Sequence, residues 1–266
     1  MDLEKLCREV IRIAKDTGEF IAQNKPALKD IRISEKDFNN FVTSVDLESE
    51  NRIVSELLKI LPEAGIIGEE KTNDKNSNEY NWVIDPLDGT TNFIHGVPCF
   101  AISIALMYRS DILLGVVYEI NLKECFYACK GSGAFLNGRP IHVSDSSNLK
   151  QSLIATGFPY YDYGRMAPWL KLFQYLMENT QGLRRLGSAA TDLAYVACSR
   201  FDGFYEYALN AWDVAAGSLI VAEAGGIVTD FSGTSDFIFG KEIIAATPDI
   251  YQSFSESIAH FFSDIN

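Results

Sequence analysis

Residues 82–93 have the sequence WVIDPLDGTTNF, in which a short apolar run ends in two carboxylates three residues apart. A glycine and two hydroxyl residues follow Asp85 and Asp88 at once. This order predicts a buried strand that delivers oxygen ligands, followed by a loop whose backbone N–H groups can hold an anion. Carboxylate oxygens suit Mg²⁺, and bound Mg²⁺ assists the chemistry of phosphate groups. The stretch therefore predicts a site for Mg²⁺-assisted chemistry on a phosphate.

The pair Asp85 and Asp88 also has a purely structural explanation. Carboxylates on either side of a proline fit a polar turn, and Asp88 followed by Gly89 is ordinary turn chemistry. The apolar residues at 82–84 and the hydroxyl residues that follow favour the metal interpretation instead. Two acids at the end of a buried strand need a cation to offset their repulsion and their desolvation.

Two further acidic positions lie at the ends of apolar elements. Glu69 and Glu70 follow a very short apolar run, and a solvated acidic turn also explains them. Asp213 stands at the start of a helix of small residues, where interaction with the helix dipole is the default explanation. An all-oxygen site that suits Mg²⁺ rather than zinc would result if four acids met: Glu69, Asp85, Asp88 and Asp213.

Other catalytic arrangements find no support in the sequence. Three scattered histidines and the absence of a GxSxG elbow argue against a serine hydrolase. No P-loop is present, so nucleotide-driven transfer is not expected. The five cysteines form no CxxC pair and no zinc set, which fits reduced thiols in a cytosol.

Composition narrows the class of protein further. The 266 residues are 47% hydrophobic, which suits one large domain or two closely joined halves. A formal charge of −13 argues against broad binding to DNA or RNA through phosphates. The charged N-terminus contains no apolar signal core, and the apolar runs are too short to cross a membrane. We therefore expect a cytoplasmic protein without a membrane segment.

Periodicity predicts a mixture of helices and strands. The predicted helices span 3–24, 46–61 with Asp46 as N-cap, 166–179, 190–197, 212–224 and 248–262. The predicted strands include 41–43, 65–70, 100–108, 112–118, 124–128, 153–156, 183–186, 203–207, 227–229, 237–239 and 243–245. Residues 71–80 are expected to form a surface loop. The mixture lacks strict βαβ alternation and indicates a layered α/β or α+β fold, which we divide into halves at 1–146 and 147–266.

Several segments carry a resemblance to a known family. They are GEE at 68–70, DPLDGTTNF at 85–93 and WDVAAG at 212–217, together with VTSVD at 42–46, GSAA at 187–190 and FYE at 204–206. In this order they resemble the signature segments of the inositol monophosphatase family, which belongs to the lithium-sensitive, Mg²⁺-dependent phosphatases. The likeness covers nearly the whole chain. It implies a layered αβαβα sandwich with the site between two halves, and a homodimer.

The resemblance also implies the metal ligands. They would be Glu69, Asp85, the backbone carbonyl of Leu87, Asp88 and Asp213. Glu69 and Asp85 would serve a first Mg²⁺, and the three aspartates a second. A third, weaker Mg²⁺ near Glu69 is found in the family, so that two to three ions are expected in each active site.

The same resemblance implies how substrate is bound and cleaved. Gly89, Thr90 and Thr91 would offer backbone N–H groups to the phosphate at the start of a short helix. Thr90 and Asp46 would orient the attacking water and help to deprotonate it, so that they join Glu69 as catalytic residues. Contacts to the alcohol half of the substrate are implied for three residues: Asp88, Ala189 and Glu206.

Two departures from the family pattern affect the third metal. Asn40 stands where the family often has Asp, and Lys36 is the natural candidate for a family lysine although Phe38 and Asn39 blur the alignment. Whether the Lys36 loop supports a third metal is therefore open.

The residue after Gly89-Thr90 bears on the choice of substrate. Relatives that act on 3′-phosphoadenosine 5′-phosphate or histidinol phosphate tend to have Lys there, and fructose-1,6-bisphosphatases a Ser or an aromatic nearby. Thr91 resembles the inositol monophosphatase type, as do Trp212-Asp213 and Glu206. The resemblance therefore implies hydrolysis of inositol monophosphates, with those other small phosphate esters as alternatives. A further alternative is a non-catalytic regulator of RNA-associated complexes, a role acquired by some family members.

Overall fold

The computed structural model describes residues 1–24, 33–37, 40–71, 77, 79–159 and 162–262, with the backbone alone described at 33–37 and 40–42. Its helices are α1 (Leu3–Asn24), α2 (Ser44–Ile60), α3 (Thr90–His95), α4 (Met166–Asn179), α5 (Ala189–Ala197), α6 (Ala211–Glu223) and α7 (Pro248–Phe262). Its strands are β1 (Ile33–Asp37), β2 (Asn40–Thr43), β3 (Gly65–Gly68), β4 (Tyr80–Asp88), β5 (Ala101–Tyr108), β6 (Asp111–Glu119), β7 (Glu124–Cys129), β8 (Ala134–Leu136), β9 (Arg139–Ile141), β10 (Leu153–Thr156), β11 (Gly182–Arg184), β12 (Gly203–Tyr207), β13 (Ile227–Thr229) and β14 (Glu242–Ala246).

Most strands belong to two sheets. The larger has the strand order β3-β4-β5-β6-β7-β8-β9. β3 pairs parallel with β4, and each later neighbour pairs antiparallel, which confirms the predicted meander. The smaller sheet has the order β11-β10-β12-β14-β13, with β10 parallel to both of its neighbours. The larger sheet uses residues 65–141 and the smaller uses 153–246, while the division at 146 stays a prediction.

Alternating side chains on β4 bury both faces of the larger sheet. Trp82 and Ile84 pack in one apolar cluster with residues of α1 and α2, including Val10 and Ile53. Val83 points the other way and packs in a second cluster with residues of α5 and α6. Because successive side chains of a strand face opposite sides, one apolar run supplies two cores.

The smaller sheet repeats this arrangement. Phe204 of β12 joins the cluster that contains α5 and α6, whereas the adjacent Tyr205 packs with Leu172 of α4 and Phe254 of α7. The layers therefore run α1/α2, larger sheet, α5/α6, smaller sheet and α4/α7. This is the expected αβαβα sandwich, and it buries α5 and α6 between two sheets.

Three predicted local features were wrong. Residues 237–239 form turns rather than a strand, because this apolar segment lies in the β13–β14 connection, where Gly240 N–H bonds to Asp236 O at 2.7 Å. The N-cap of α2 is Thr43 rather than Asp46, since the Thr43 hydroxyl accepts from the first-turn N–H groups and Asp46 occupies the third helical position. β11 ends at Arg184, so the predicted strand over 183–186 is displaced.

Two remaining points concern segments outside the sheets. Among the helices that the structure describes, none combines the length and the hydropathy needed to span a bilayer. Of the predicted surface loop at 71–80, residues 72–76 and 78 lie outside the described part of the chain.

Candidate active site

A β-bulge in β4 places Asp85 and Asp88 on the same side of the larger sheet. Asp85 pairs with Ser103 of β5 and Asp88 pairs with Ala101, so β4 has one extra residue between these pairs. Side chains three apart in a regular strand face opposite ways, and an extra residue reverses the second of them. Leu87 accordingly packs into the outer cluster with α1 and α2, which leaves Asp88 facing inward with Asp85.

Three carboxylates meet at this corner. One oxygen each of Asp85, Asp88 and Asp213 lies within 4.8 Å of the others. Asp213 comes from α6, which is tied to the sheet because Ser103 Oγ donates to Trp212 O at 3.0 Å. Glu69 lines the same cleft at the end of β3 but is not one of the acids within that distance.

Burial and mutual repulsion disfavour the charged forms of these acids. Burial, and then the negative charges of Glu69, Asp88 and Asp213, raise the pKa of Asp85 well above its usual range. Burial and the charge of Asp88 do the same to the pKa of Asp213. Burial raises the pKa of Asp88 to about 6, although hydrogen bonds from the α5 segment oppose that shift. A divalent cation would offset the negative charge of all three carboxylates. The donor set therefore fits an ion that prefers oxygen ligands.

Backbone and side-chain hydrogen bonds orient each of these aspartates. Leu87 N–H donates to Asp85 Oδ1 at 2.9 Å. Asp213 is the third residue of α6, where it closes a capping box by accepting from Asn210 N–H at 2.6 Å. Asp213 can therefore both cap the start of α6 and belong to the acidic cluster, since the capping hydrogen bond uses one of its two carboxylate oxygens.

Asp88 is held from the other half of the chain. Ser188 Oγ donates to Asp88 Oδ2 at 2.7 Å, and Ala190 N–H donates to the same oxygen at 2.8 Å. Ser188 is also the N-cap of α5, where its hydroxyl accepts from Thr191 N–H. The start of α5 is thereby fixed against the end of β4.

The end of β3 positions Glu69 beside the cluster. Glu69 N–H donates to Ile84 O at 3.1 Å, and Glu70 N–H donates to the buried Glu50 at 2.9 Å. A larger residue at Gly68 would require the Glu50 side chain to shift, because a Cβ there would lie 2.5 Å from Glu50 Oε2.

Gly89 turns the chain from β4 into α3. It is the N-cap of α3 with a positive φ of 94°, which favours glycine, and a Cβ there would lie 3.0 Å from Cys99 O. The first N–H groups of a helix have no partner within it, so those at the start of α3 are available to an anion. The Asn92 amide donates to Cys99 O at 2.7 Å and to Leu186 O at 2.8 Å, which holds this turn against the segment before α5.

Thr90 links the corner to Asp46 at the start of α2. Thr90 Oγ1 lies 2.9 Å from Asp46 Oδ1 and 3.0 Å from Leu87 O, so its single hydroxyl hydrogen has two alternative acceptors. Asp46 is fully buried, and Thr43 N–H donates to its other oxygen at 2.9 Å. Burial raises the pKa of Asp46, and the hydrogen bonds from Thr43 and Thr90 partly offset that effect.

Two more buried acids line the cleft. Burial raises the pKa of Glu206 on β12 to about 8, while the charge of Arg185 opposes the shift. Gly157 leaves room for this side chain, because a Cβ there would lie 1.9 Å from Glu206 Oε1. Asp192 on α5 is 1% exposed, and burial, followed by the charges of Glu206 and Asp88, raises its pKa well above the usual range.

These residues enclose a cleft of about 140 Å³. Nearly all of the residues predicted for the site line it, together with residues that the sequence did not single out. The lining residues include Glu69, Asp85, Leu87, Asp88, Gly89, Thr90, Thr91, Ala189, Glu206 and Asp213, and also Gly157, Arg185, Ser188, Asp192 and Asn210. The volume is below the roughly 300–1,000 Å³ typical of drug-sized ligands, which indicates a small substrate.

Two predicted site residues need separate mention. Asp46 is not among the lining residues and reaches the cleft only through Thr90. The Lys36 side chain lies outside the described part of the structure, so its expected role near a third metal stays a prediction.

Comparison with known proteins agrees with this geometry. The inositol monophosphatase family model matches residues 2–265. The chain is 42% identical to the Nus factor SuhB of Pseudomonas aeruginosa, with 96% of each chain covered. It is 36% identical to the inositol-1-monophosphatase of Mesorhizobium japonicum, with 95% of this chain and 96% of that one covered. The crystal structure of the extragenic suppressor protein suhB from Bartonella henselae superposes with a TM-score of 0.92 at 38% identity, covering 96% of this chain and 98% of the other.

The family match spans almost the whole chain, and the acidic cluster is compatible with the metal dependence typical of this family. The fold of the solved relative is also the αβαβα fold described above. The chain therefore belongs to the inositol monophosphatase family, whose members are phosphatases that act on small phosphorylated substrates.

Proposed function

We propose that this protein is a Mg²⁺-dependent phosphatase that hydrolyses inositol monophosphates to inositol and phosphate. The observation that carries the proposal is the meeting of Asp85, Asp88 and Asp213 within 4.8 Å of one another, beside the glycine turn that begins α3. Carboxylates in such a cluster repel one another unless a cation is present, and the adjacent helix start suits an anion.

The proposed ligands for two to three Mg²⁺ ions are those that line the acidic end of the cleft: Glu69, Asp85, the carbonyl of Leu87, Asp88 and Asp213. When bound, Mg²⁺ activates water and offsets negative charge on phosphate oxygens. The chain contributes rigid ligand positions, because Asp85, Asp88 and Asp213 each accept a backbone N–H bond that fixes the carboxylate. Such supporting bonds commonly change metal affinity 10–100-fold when they are removed.

The chain also orients the phosphate and removes a proton. The N–H groups of Gly89, Thr90 and Thr91 would face the phosphate oxygens, so that binding needs no lysine or arginine. Thr90 and Asp46 are proposed to act together on the attacking water. The hydroxyl of Thr90 accepts the water's proton as it passes its own to the buried carboxylate 2.9 Å away. Glu69 would be the second acid facing that water.

The alcohol half of the substrate would lie between Asp88, Ala189 and Glu206. Ala189 starts α5 beside Ser188, and both Ala189 and Glu206 line the cleft. The preference for inositol esters draws support from the name of the 36% identical Mesorhizobium relative and from the small volume of the cleft.

A phosphate-release panel with purified protein tests the proposal. It should contain inositol 1-phosphate, fructose 1,6-bisphosphate, 3′-phosphoadenosine 5′-phosphate and histidinol phosphate, each with Mg²⁺ or with EDTA. We expect the highest kcat/KM with inositol 1-phosphate and none without metal. A clear preference for another ester would replace the proposed substrate, and no release from any ester would reject the proposed activity.

A second candidate function follows from the 42% identical Pseudomonas relative, which is named a Nus factor. A non-catalytic role in RNA-associated complexes would be compatible with 42% identity. The clustered acids favour retained catalysis, because a protein without a metal would keep these repelling groups at a cost in stability. Association with an RNA-associated complex by a variant that has lost catalysis would support the second role.

Four further expectations accompany the proposal. We expect a homodimer in the cytoplasm, on the grounds of the family resemblance and the scattered cysteines. The net charge of −13 supports the expectation that DNA is not a partner. Lithium sensitivity is also expected from the superfamily.

A further inference from the structure

The burial of Asp192 is not explained by its position in a helix. It is the fourth residue of α5, and an acid in a first turn normally faces solvent while it interacts with the helix dipole. Asp192 is instead 1% exposed, and Ser188 already caps the helix by accepting from Thr191 N–H at 3.3 Å. A helix-capping role therefore does not account for it.

The carboxylate of Asp192 is buried without being satisfied. Its Oδ1 has no hydrogen-bond partner among the described residues, although the side chain lines the cleft. A buried acceptor that lacks a partner destabilises the folded protein, so such groups call for an explanation. Negative charges on Glu206 and Asp88 add to the cost of ionising Asp192, whereas the charge of Arg185 offsets part of it.

The position of Asp192 indicates what would satisfy it. It lies close enough to Glu206 and Asp88 for their charges to act on it, and all three side chains line the cleft. A hydroxyl group can donate to a carboxylate with a charge-assisted bond, whereas a fully ionised anion has no hydrogen to donate. Asp192 and Glu206 both line the cleft and can accept from two hydroxyl groups of the same molecule.

We propose that Asp192 is a substrate-specificity residue that accepts a hydrogen bond from a hydroxyl group of the alcohol half, so that the site selects phosphate esters of polyols. This inference rests on the proposed phosphatase function and assigns Asp192 a role next to that of Glu206. The stability lost by burying an unpaired acid is recovered only when a polyol ester binds.

The test compares two esters that differ only in their ring hydroxyl groups, inositol 1-phosphate and cyclohexyl phosphate. With Mg²⁺, we expect Asp192→Ala to lower kcat/KM for inositol 1-phosphate about 10- to 100-fold, as for loss of a bond to a charged acceptor. The value for cyclohexyl phosphate should change less than about threefold. Equal losses on both esters, or no loss on either, would overturn the inference, and the isosteric Asp192→Asn should show the same selectivity in weaker form.

Stability provides a readout that needs neither metal nor activity. In EDTA, Asp192→Ala should raise the melting temperature by at least about 2 °C, because an unpaired buried acid is removed. Asp230 is a matched control: it is 6% exposed and accepts from Ser232 N–H at 2.9 Å and Thr234 N–H at 2.7 Å. Asp230→Ala should lower the melting temperature and leave ester selectivity unchanged. A comparable loss of stability in Asp192→Ala would show that its carboxylate is satisfied and would contradict the inference.

Binding measurements separate this inference from the proposed function. Ca²⁺ takes the same kinds of oxygen ligand as Mg²⁺, so calorimetry with the Ca²⁺-loaded protein reports ester binding directly. We expect the wild type to bind inositol 1-phosphate at least about tenfold more tightly than Asp192→Ala does, with equal affinities for cyclohexyl phosphate. If no ester is hydrolysed but this difference is found, the proposed function fails and the specificity role stands. If esters are hydrolysed without the difference, the specificity role fails alone.

Discussion

Ser188 donates its hydroxyl hydrogen to Asp88 across a distance of 2.7 Å, which joins the start of α5 to the end of β4. The same hydroxyl caps α5. One side chain therefore fixes both the helix start and the orientation of a proposed metal ligand, so its removal should affect stability and metal binding together.

Ser188→Ala should lower the free energy of unfolding by about 1–2 kcal/mol, the usual cost of losing an N-cap. It should also weaken the apparent Mg²⁺ affinity about tenfold, because Asp88 loses a side-chain donor that holds it against the start of α5. Chemical denaturation and Mg²⁺ titration of activity measure the two effects. Ser188→Thr keeps the hydroxyl and should restore both, whereas an unchanged Mg²⁺ affinity in Ser188→Ala would refute the link.

Asp85→Asn should change stability in opposite directions with and without metal. In EDTA near neutral pH it should raise the melting temperature, because the buried Asp85 is repelled by Glu69, Asp88 and Asp213. Saturating Mg²⁺ should then stabilise the wild type more than the variant. Differential scanning calorimetry of both proteins in both conditions measures this. A variant that is less stable than the wild type in EDTA would argue against a repulsive cluster.

The free energy of unfolding of the metal-free protein should fall as the pH rises, in part because the Glu206 carboxyl loses its proton. Burial raises the pKa of this carboxyl to about 8 from the usual 4.5, so the folded protein retains a proton that the unfolded chain releases. The stabilising contribution is complete below pH 4.5 and is lost as the pH rises through about 8.

Urea unfolding in EDTA across this pH range tests the effect of Glu206. Glu206→Gln, which cannot titrate, should show a shallower fall in the free energy of unfolding than the wild type. One pKa unit corresponds to about 1.4 kcal/mol, so the difference should reach a few kcal/mol at most. Substitution of the exposed Asp111 by Asn serves as the control and should leave the wild-type slope. Parallel slopes for Glu206→Gln and the wild type would contradict the assigned titration.

Thr90→Val should lower kcat about 100-fold and leave KM nearly unchanged, because the proton path from water to Asp46 needs the hydroxyl. Thr90→Ser keeps the hydroxyl and should retain most of the activity. Steady-state kinetics with inositol 1-phosphate measure both variants. A fall in kcat/KM that comes entirely from KM would instead assign Thr90 to substrate binding.

Local patterns in the sequence were sufficient for most helices and for the acidic corner. Apolar spacing predicted α1 and α7 to their ends, and the order of Asp85, Asp88 and Gly89 predicted that the acids and the glycine turn lie together. The predicted strand at Phe237–Phe239 was wrong, because an apolar segment can cover the edge of a core when it forms a turn as well as when it forms a strand.

Other features depend on contacts between distant segments, which no local pattern records. The bulge that turns Asp88 inward is defined by pairing with β5, and Asp192 is buried only because α5 lies between two sheets. Ser188 could have been found, since a serine before a helix is a recognised N-cap signal. The hydrogen bond from Ser188 to Asp88 could not have been predicted, because this bond joins the two halves of the chain.

The most direct test of the proposed function is phosphate release from inositol 1-phosphate with Mg²⁺ by the wild type and by Asp88→Asn, with folding checked by circular dichroism. We expect the wild type to release phosphate only when Mg²⁺ is present, and the folded variant to lose most of that activity. Phosphate release by the wild type in EDTA, or wild-type turnover by Asp88→Asn, would contradict a metal site built on these acids.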